Sequence, residues 1–250
     1  MKRKTLIAFR VTFAALIAAV LSGCIVVTFY DFNAVTGIGE PENYEFNTGR
    51  FSGIKTEGFC NININYYSAE SDTVTLTIQP NLREYYKIEV VDSDLVVRST
   101  KRLNFKSGKN PVLTVSTPVL NRLIIEGACI FKPYDEIVSD SLAVTFRGAV
   151  ESRAEINVNK LFVDISGAGK IELSGRADSA DFTMSGAGDV DARSLLTSET
   201  NVKFSGAGSL RINCSKSLSI NANGVGTIEY SGNPSVTLEK NGLVEIRRIN

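Results

Sequence analysis

The sequence predicts an all-β protein that folds as a single-stranded parallel β-helix, or β-solenoid, with coils of about 18–21 residues. The tetrapeptide Ser-Gly-Ala-Gly occurs at residues 166–169, 185–188 and 205–208. Weaker copies at residues 126–129, 147–150, 223–226 and 241–244 extend the series, so that successive copies lie 18–21 residues apart. A near-constant period of this length indicates one small unit that is stacked repeatedly on its neighbours.

The residues on both sides of each glycine pair alternate between apolar and polar side chains. Val163-Asp164-Ile165 precedes the first full copy and Ile171-Glu172-Leu173 follows it, and the later copies have similar flanks. Alternation with a period of two is typical of a strand with one buried face. Each unit is therefore predicted to be a strand, a glycine corner, a second strand and a loop of roughly six to ten residues.

The glycines of these corners are predicted to have a structural role. A residue without a Cβ suits a position with positive φ, or one where stacked backbones approach closely. The constant spacing favours a solenoid over a barrel or sandwich, in which hairpin lengths are free to vary. The predicted corner glycines are Gly167, Gly169, Gly186, Gly188, Gly206, Gly208, Gly224 and Gly226.

The region before residue 120 repeats less clearly but shows the same alternation. Strands are predicted at residues 59–66, 74–78, 86–91, 95–98, 111–116 and 123–125, with a turn at Asp92-Ser93-Asp94. No linker separates this region from the repeats. We therefore expect one continuous domain over residues 43–250, whose first coils are longer and irregular.

The N-terminus carries a predicted export signal. Lys2, Arg3 and Lys4 precede an apolar segment at residues 11–20 that is too short to span a bilayer securely. Leu21-Ser22-Gly23-Cys24 resembles the lipobox of bacterial lipoproteins. This resemblance implies a signal peptide over residues 1–23, lipid attachment at Cys24 and a lipid-anchored tether over residues 24–42. Several acyl chains suffice for stable anchoring. A plain secretory signal with an incidental cysteine is the alternative.

Composition excludes a nucleic-acid partner but does not decide whether the cysteines form a disulfide. The chain has 27 basic and 27 acidic residues and no net charge, so it lacks the basic patch that a nucleic-acid partner requires. Apart from Cys24, the cysteines Cys60, Cys129 and Cys214 are odd in number. They are interpreted as small buried core residues, with one disulfide and a spare thiol as the alternative.

Catalytic and metal-binding patterns are weak. The chain has no histidine, which removes the commonest general base and both the Ser/His and Cys/His arrangements. The Gly-x-Gly corners lack a following Gly-Lys-Ser/Thr, and their period is about twice that of the calcium-binding nonapeptide repeat. We therefore expect no catalytic residue, metal site or cofactor. The acidic residues near the corners fall on outward positions without forming a column of one sign: Asp164, Glu172, Asp189, Asp191 and Glu229.

Three features in a fixed order resemble the bacterial family described as "putative auto-transporter adhesin, head GIN domain". They are Phe-Ser-Gly-Ile-Lys-Thr-Glu-Gly at residues 51–58, the serial Ser-Gly-Ala-Gly corners, and Ile-Glu-Tyr-Ser-Gly-Asn-Pro at residues 228–234. The resemblance covers about residues 50–250 and implies a right-handed parallel β-helix on cell-envelope proteins that are often lipoproteins. The corners at residues 126–129 and 147–150 depart from the pattern because the second glycine is lost.

Together these features predict a non-catalytic lipoprotein of the bacterial envelope, anchored in the outer membrane and facing either the periplasm or the exterior. Its rigid β-helix is expected to serve adhesion by binding a carbohydrate or protein partner. Candidate contacts are the pairs Tyr66-Tyr67 and Tyr85-Tyr86, in each of which one ring must face inward by strand parity.

Two other functions remain open. The first is a structural or assembly component of the envelope that associates with itself or with a neighbouring protein. Arg247 and Arg248 follow the last predicted strand and are expected to act as a charged cap, which favours a monomer. The second is a β-helix enzyme that acts on polysaccharides.

Overall fold

The computed structural model describes residues 35–58, 60–105 and 110–249; the predicted signal peptide and Cys24 lie outside these ranges. About 73% of the described residues are strand and 3% helix, and the strands form a parallel β-solenoid of about 7 turns. The predicted fold class is confirmed. Among the described residues, no helix has the length and apolar character needed to cross a bilayer.

The strands of the described residues are named in chain order, and a single 3₁₀ helix (Pro80–Tyr85) lies between β5 and β6. They are β1 (Val35–Thr36), β2 (Glu42–Phe46), β3 (Gly53–Gly58), β4 (Asn63–Ser68), β5 (Thr73–Ile78), β6 (Tyr86–Val91), β7 (Asp94–Ser99), β8 (Leu103–Asn104), β9 (Val112–Thr117), β10 (Arg122–Ile125), β11 (Ala128–Pro133), β12 (Ile137–Phe146), β13 (Ala149–Ile165), β14 (Ala168–Met184), β15 (Ala187–Phe204), β16 (Ala207–Ala222), β17 (Val225–Ser231), β18 (Ser235–Lys240) and β19 (Leu243–Arg248).

The coils stack in parallel, and the corners are in register. Ala149 pairs with Ala168, Ala168 with Ala187, and Ala187 with Ala207. Three faces result. Face A contains the segments that precede a glycine corner, such as residues 180–184. Face B contains those that follow it, such as residues 168–173, and face C contains the remainder, such as residues 175–177.

The sequence predicted a loop of six to ten residues within each repeat, and this prediction is wrong. β14 runs without interruption from Ala168 to Met184, and Ala177 and Ala180 are buried where a loop was expected. They pair in parallel with Val158 and Leu161 of the coil before. These residues have a low strand propensity of their own. Pairing with both neighbouring coils satisfies their backbone N–H and C=O groups and so holds them in a strand. The chain turns at Gly175, which has φ +102°, and again between Ala177 and Ala180, where the burial alternation shifts by one residue.

The core is apolar and lies along the axis of the stack. Its largest fully buried side chains include Tyr66, Phe131, Phe182 and Phe204. Cys60, Cys129 and Cys214 are also buried, and all three are free thiols. Burial raises the pKa of the Cys129 thiol to about 12, so this group is protonated at neutral pH. The interpretation of the three cysteines as small buried core residues is therefore confirmed.

The N-terminal end of the stack is built out of sequence order. The coil formed by β3 and β4 lies between two others, because β3 pairs with β7 and β10, and β4 pairs with β9 and β11. Antiparallel strands then extend both faces: β6 pairs with β7, β5 with β9, and β2 with β5. The irregular first coils thus include antiparallel additions that the sequence pattern did not predict.

The described part of the predicted tether contacts this end. Val35 and Thr36 form β1, which pairs in parallel with β8, and the backbone N–H of Ile38 donates to Asn81 Oδ1 at 2.8 Å. Gly37 is buried. The packed structure therefore begins before the expected boundary at residue 43, and residues 35–42 lie against the domain.

Candidate functional site

The predicted corner glycines allow the coils to approach each other closely. A Cβ added to Gly167 would lie 2.0 Å from the carbonyl oxygen of Gly148, and one added to Gly186 would lie 1.9 Å from that of Gly167. Neither glycine has a positive φ. The crowding follows from the stacking hydrogen bonds, such as the one from Ala187 N to Gly167 O at 2.9 Å. Gly206 and Gly224 are crowded in the same way by Gly186 and Gly206.

The second glycine of each corner has a different environment. Gly208 and Gly226 have φ +138° and +150°, whereas Gly169 and Gly188 have no positive φ. Cys129 and Val150 occupy this column in the two corners that lack the second glycine, and both side chains are buried in the core. The loss of the second glycine is therefore accommodated, because the larger side chain packs into the core.

Small side chains at the corners leave room for a groove on face B. Two open clefts, of about 500 and 340 Å³, share Ile130, Glu151 and Lys170 and so form one continuous depression along β11. We call it the β11 groove. Its lining includes Asn61, Asn63, Phe105, Asn110, Ala128, Ile130, Lys132, Tyr134, Ala149, Glu151, Arg153, Ala168, Lys170 and Glu172.

One wall of the groove carries two asparagine amides. The regular ladder between β4 and β11 begins only at Ile64 and Phe131. Before it, Asn61 Oδ1 accepts from Ala128 N and Asn63 Oδ1 accepts from Ile130 N, each at 3.2 Å. Each side-chain oxygen thus replaces a missing ladder acceptor, and both asparagines line the groove.

A flat aromatic surface closes one end of the groove. The rings of Tyr67 and Tyr134 stack with centroids 4.9 Å apart and planes 2° from parallel, and Tyr134 is 58% exposed. The backbone N–H of Tyr134 donates to Tyr66 O at 2.9 Å, which fixes its position. The parity expectation for the tyrosine pairs is confirmed, because Tyr66 and Tyr86 are buried whereas their neighbours are not.

The other wall is a fixed cluster of charges. Glu172 Oε1 lies 3.1 Å from Lys170 Nζ, and Arg153 Nε donates to Glu172 Oε2 at 2.6 Å. Hydrogen bonds from Lys170 and Arg153 hold the pKa of Glu172 below its usual range, so the carboxylate is ionised at neutral pH. The groove therefore presents ion pairs of defined geometry.

The charged column continues along face B from coil to coil. Arg193 Nε donates to Asp191 at 2.9 Å, and Glu229 accepts from Arg211 Nε at 3.0 Å and Arg247 Nε at 2.7 Å. The predicted mixture of signs is thus observed as a column in register, composed of Arg153, Glu172, Asp191, Arg211, Glu229 and Arg247.

Two of the predicted outward acids lie outside this column. Asp189 accepts a hydrogen bond from Ser209 Oγ at 2.6 Å, and Asp164 is exposed on face A. Within the described ranges, no three His, Cys, Asp or Glu side chains are grouped to hold a metal ion. The groove is therefore suited to stacking against a ring, to amide hydrogen bonds and to contacts with fixed charges.

Sequence reasoning identified Tyr67 as a candidate contact but missed Tyr134 and the groove. Tyr66 pairs with Pro133, so Tyr67 and Tyr134 are neighbours although they are separated by 67 residues, which is not a multiple of the repeat period. Only the pairing of β4 with β11 reveals this aromatic pair. The one local signal of this pair in the sequence was the tyrosine at residue 134, directly after a strand.

Fold and groove together define a repeat protein with a side-chain-lined groove on one face of a β-solenoid. The chain belongs to the family described as "putative auto-transporter adhesin, head GIN domain", whose sequence profile matches residues 50–234. Membership of this family suggests a cell-surface or envelope location and a non-enzymatic role. No curated protein matches the sequence.

Solved structures show the same fold. A putative adhesin from Bacteroides fragilis is 22% identical, with a TM-score of 0.80 over 86% of this chain and 100% of that one. A putative adhesin from Parabacteroides merdae is 24% identical, with a TM-score of 0.63 over 87% and 100%. A protein from Parabacteroides distasonis described as a putative lipid binding protein is 20% identical, with a TM-score of 0.65 over 87% and 100%.

Proposed function

We propose that this protein is a non-catalytic, lipid-anchored adhesin of the bacterial envelope that binds carbohydrate in the β11 groove. The observation that carries the proposal is the exposed ring of Tyr134, stacked on Tyr67 at the end of a groove lined by amides and ion pairs. A sugar ring has one face of C–H groups and a rim of hydroxyls. It therefore fits a site that offers an aromatic face beside hydrogen-bonding groups.

The rigidity of the groove supports a binding role. Most of its lining is contributed by β4, β11, β13 and β14, which pair in parallel ladders. A site built on strands loses little conformational entropy when a ligand binds. Arg153 and Lys170 both contact Glu172, so the groove presents an acidic side chain between two basic ones.

Polysaccharide cleavage is disfavoured by the electrostatics. A glycosidase needs one carboxylic acid with a raised pKa that can donate a proton. The Lys170 and Arg153 side chains lower the pKa of Glu172, which is the opposite shift. The absence of histidine from the sequence removes the other common proton donor.

The lipid anchor is the second part of the proposal. It is supported by the lipobox Leu21-Ser22-Gly23-Cys24 and by the family's association with the envelope. A Cys24 lipid would hold the domain close to a membrane, where an adhesin has to be presented. The part of the predicted tether (residues 24–42) that precedes β1 would then join the lipid to the domain.

A glycan array with the purified chain and two variants tests the binding role. Tyr134→Ala is expected to reduce glycan binding about tenfold, because an aromatic contact contributes about 1.4 kcal/mol. Leu196→Ala is a matched control, since Leu196 is also 58% exposed but lies on face C. Equal binding by both variants, or binding of the unmodified chain to no glycan on the array, would overturn the proposal.

A further inference from the structure

Lys132 interrupts the pairing of opposite charges along face B. Acids of the charged column are matched by arginines: Arg153 contacts Glu172, and Arg193 contacts Asp191. Lys132 is exposed on the same face, and no carboxylate of the described residues forms an ion pair with it. Because Lys132 lines the β11 groove, its ammonium is a cation of the groove that this part of the chain leaves uncompensated.

The strand neighbours of Lys132 supply no acid either. On one side, Lys132 pairs with Asn65 of β4. On the other side, Phe131 pairs with Ser152, so Lys132 and Arg153 follow at adjacent positions of β11 and β13. Like charges opposite one another on neighbouring strands are destabilising. Two cations are thus placed side by side at a cost in stability, which a bound anion would offset.

Basic side chains outnumber acidic ones in the lining of the groove. The described lining contains Lys132, Arg153 and Lys170 as bases, and Glu151 and Glu172 as acids. Glu172 contacts Arg153 and Lys170, and Glu151 lies opposite Lys170 in the ladder between β13 and β14. The excess positive charge is therefore located at Lys132.

Two acids follow Tyr134 in the sequence, but they do not line the groove. Asp135 Oδ2 accepts a hydrogen bond from the backbone N–H of Ser68 at 2.9 Å, which holds this carboxylate at the end of β4. Glu136 is exposed and forms no ion pair with a described residue. Neither acid therefore neutralises Lys132 from within the groove.

The uncompensated cation lies next to the aromatic surface. Phe131 and Pro133 alternate with Lys132 and Tyr134 along β11 and its last residue, and Phe131 is buried. Side chains two residues apart on a strand point the same way and lie about 7 Å apart. A sugar ring stacked on Tyr134 would therefore carry its substituents towards the ammonium of Lys132.

We infer that the β11 groove selects an anionic glycan, whose carboxylate or sulfate group is bound by Lys132 beside Arg153. This inference rests on the proposed carbohydrate binding and adds the charge of the ligand to it. A lysine ammonium has three N–H donors on a flexible stem, so it can bind either anionic group. Hydrogen bonds between an ammonium and an anion are stronger than those between neutral groups.

Matched glycan pairs test the preference for charge. The purified full chain is titrated with oligosaccharides that end in glucuronic acid or glucose, in galacturonic acid or galactose, and in 6-sulfated galactose or galactose. The anionic member of a bound pair is expected to bind about fivefold more tightly, which corresponds to about 1 kcal/mol for an exposed ion pair. The sulfated and carboxylated arms identify which anionic group is preferred. Added salt should reduce the difference, because it screens exposed charges.

Two lysine variants locate the preference. Lys132→Gln is expected to reduce binding of the anionic members to the level of the neutral ones, and Lys132→Arg is expected to retain the preference. Lys216→Gln is the matched control, because Lys216 is also exposed and without an ion pair among the described residues but does not line the groove. Far-ultraviolet circular dichroism checks that each variant is folded.

The outcomes separate this inference from the proposed function. Equal binding of anionic and neutral members by the unmodified chain would overturn the inference and leave carbohydrate binding intact. A preference that survives in Lys132→Gln, or that is lost equally in Lys216→Gln, would also overturn it. Binding to no glycan of either kind would overturn the proposed function and, with it, the inference.

Discussion

At Gly186, an added Cβ would lie 1.9 Å from the carbonyl oxygen of Gly167 and 2.7 Å from the carbonyl carbon of Ser166. The repeat pattern alone predicted a residue without a Cβ here, but it left positive φ and close approach as two possible reasons. The structure distinguishes them, because the close approach recurs at Gly167, Gly206 and Gly224 without positive φ. The distinction could not be made from sequence, since both reasons select glycine.

Substitution of Gly186 tests whether close approach of the coils requires glycine here. Gly186→Ala is expected to destabilise the fold by about 1–3 kcal/mol, because the neighbouring backbone must move to admit the methyl group. Ser185→Ala, at the exposed neighbouring position, is expected to change stability by no more than about 0.5 kcal/mol. Denaturant melts measure both values. Equal stabilities of the two variants would contradict the close-approach explanation.

The strands differ in how far the sequence predicted them. Segments that flank the corners were predicted correctly because Val163, Ile171 and their equivalents alternate clearly with polar residues. The stretch around Ala177 and Ala180 was predicted as a loop, because small and polar residues carry a weak strand signal and only stacking makes them strand.

The N-terminal end and the groove depend on pairing between distant strands. β3 and β4 lie between later coils, and β2, β5 and β6 are antiparallel additions. A repeat period carries no information about such an order. For the same reason, the sequence could not place Tyr134 beside Tyr67, although the outward position of Tyr67 followed from parity.

The charged column on face B links successive coils and gives a pH-dependent prediction. Hydrogen bonds from Arg247 and Arg211 hold the pKa of Glu229 below its ordinary value of 4.5. A lowered folded-state pKa means that the stabilisation is fully present above about pH 4.5 and is lost as the pH falls through the folded-state value. Glu229→Gln should therefore lower the melting temperature at pH 7 and have progressively less effect below pH 4.5.

The exposed Glu199 provides the control for this measurement. Glu199→Gln is expected to leave the melting temperature close to that of the wild type at both pH values, since the side chain is on the surface. Thermal melts at a series of pH values measure the melting temperatures of both variants and the wild type. A Glu229→Gln deficit that grew as the pH fell would show that the sign of the pKa shift is wrong.

The described residues of the domain form a stack of parallel coils with a groove on one face. Family membership suggests that it is presented at the envelope. The predicted lipid at Cys24 lies outside the described residues. It would join the domain to a membrane on the N-terminal side, where β1 already packs against β8.

The anchor can be tested independently of binding. Cys24→Ser is expected to remove the lipid and shift the protein out of the detergent phase in phase partitioning, because the acyl chains provide the membrane affinity. Cys60→Ala is the control, since Cys60 is a buried core thiol and its loss should leave partitioning unchanged. Mass spectrometry of the N-terminal peptide gives the second readout. An unaltered N-terminal mass in Cys24→Ser would contradict lipid attachment at this residue.

A crystal structure of the protein bound to a glycan selected on the array is the decisive test of carbohydrate binding in the β11 groove. We expect a sugar ring stacked on Tyr134, with its hydroxyls within hydrogen-bonding distance of the amide of Asn63 or the ammonium of Lys170. Crystals grown without the glycan show whether the groove is preformed. A glycan bound on face A or face C, or at the C-terminal coil, with the β11 groove empty, would refute carbohydrate binding at this site.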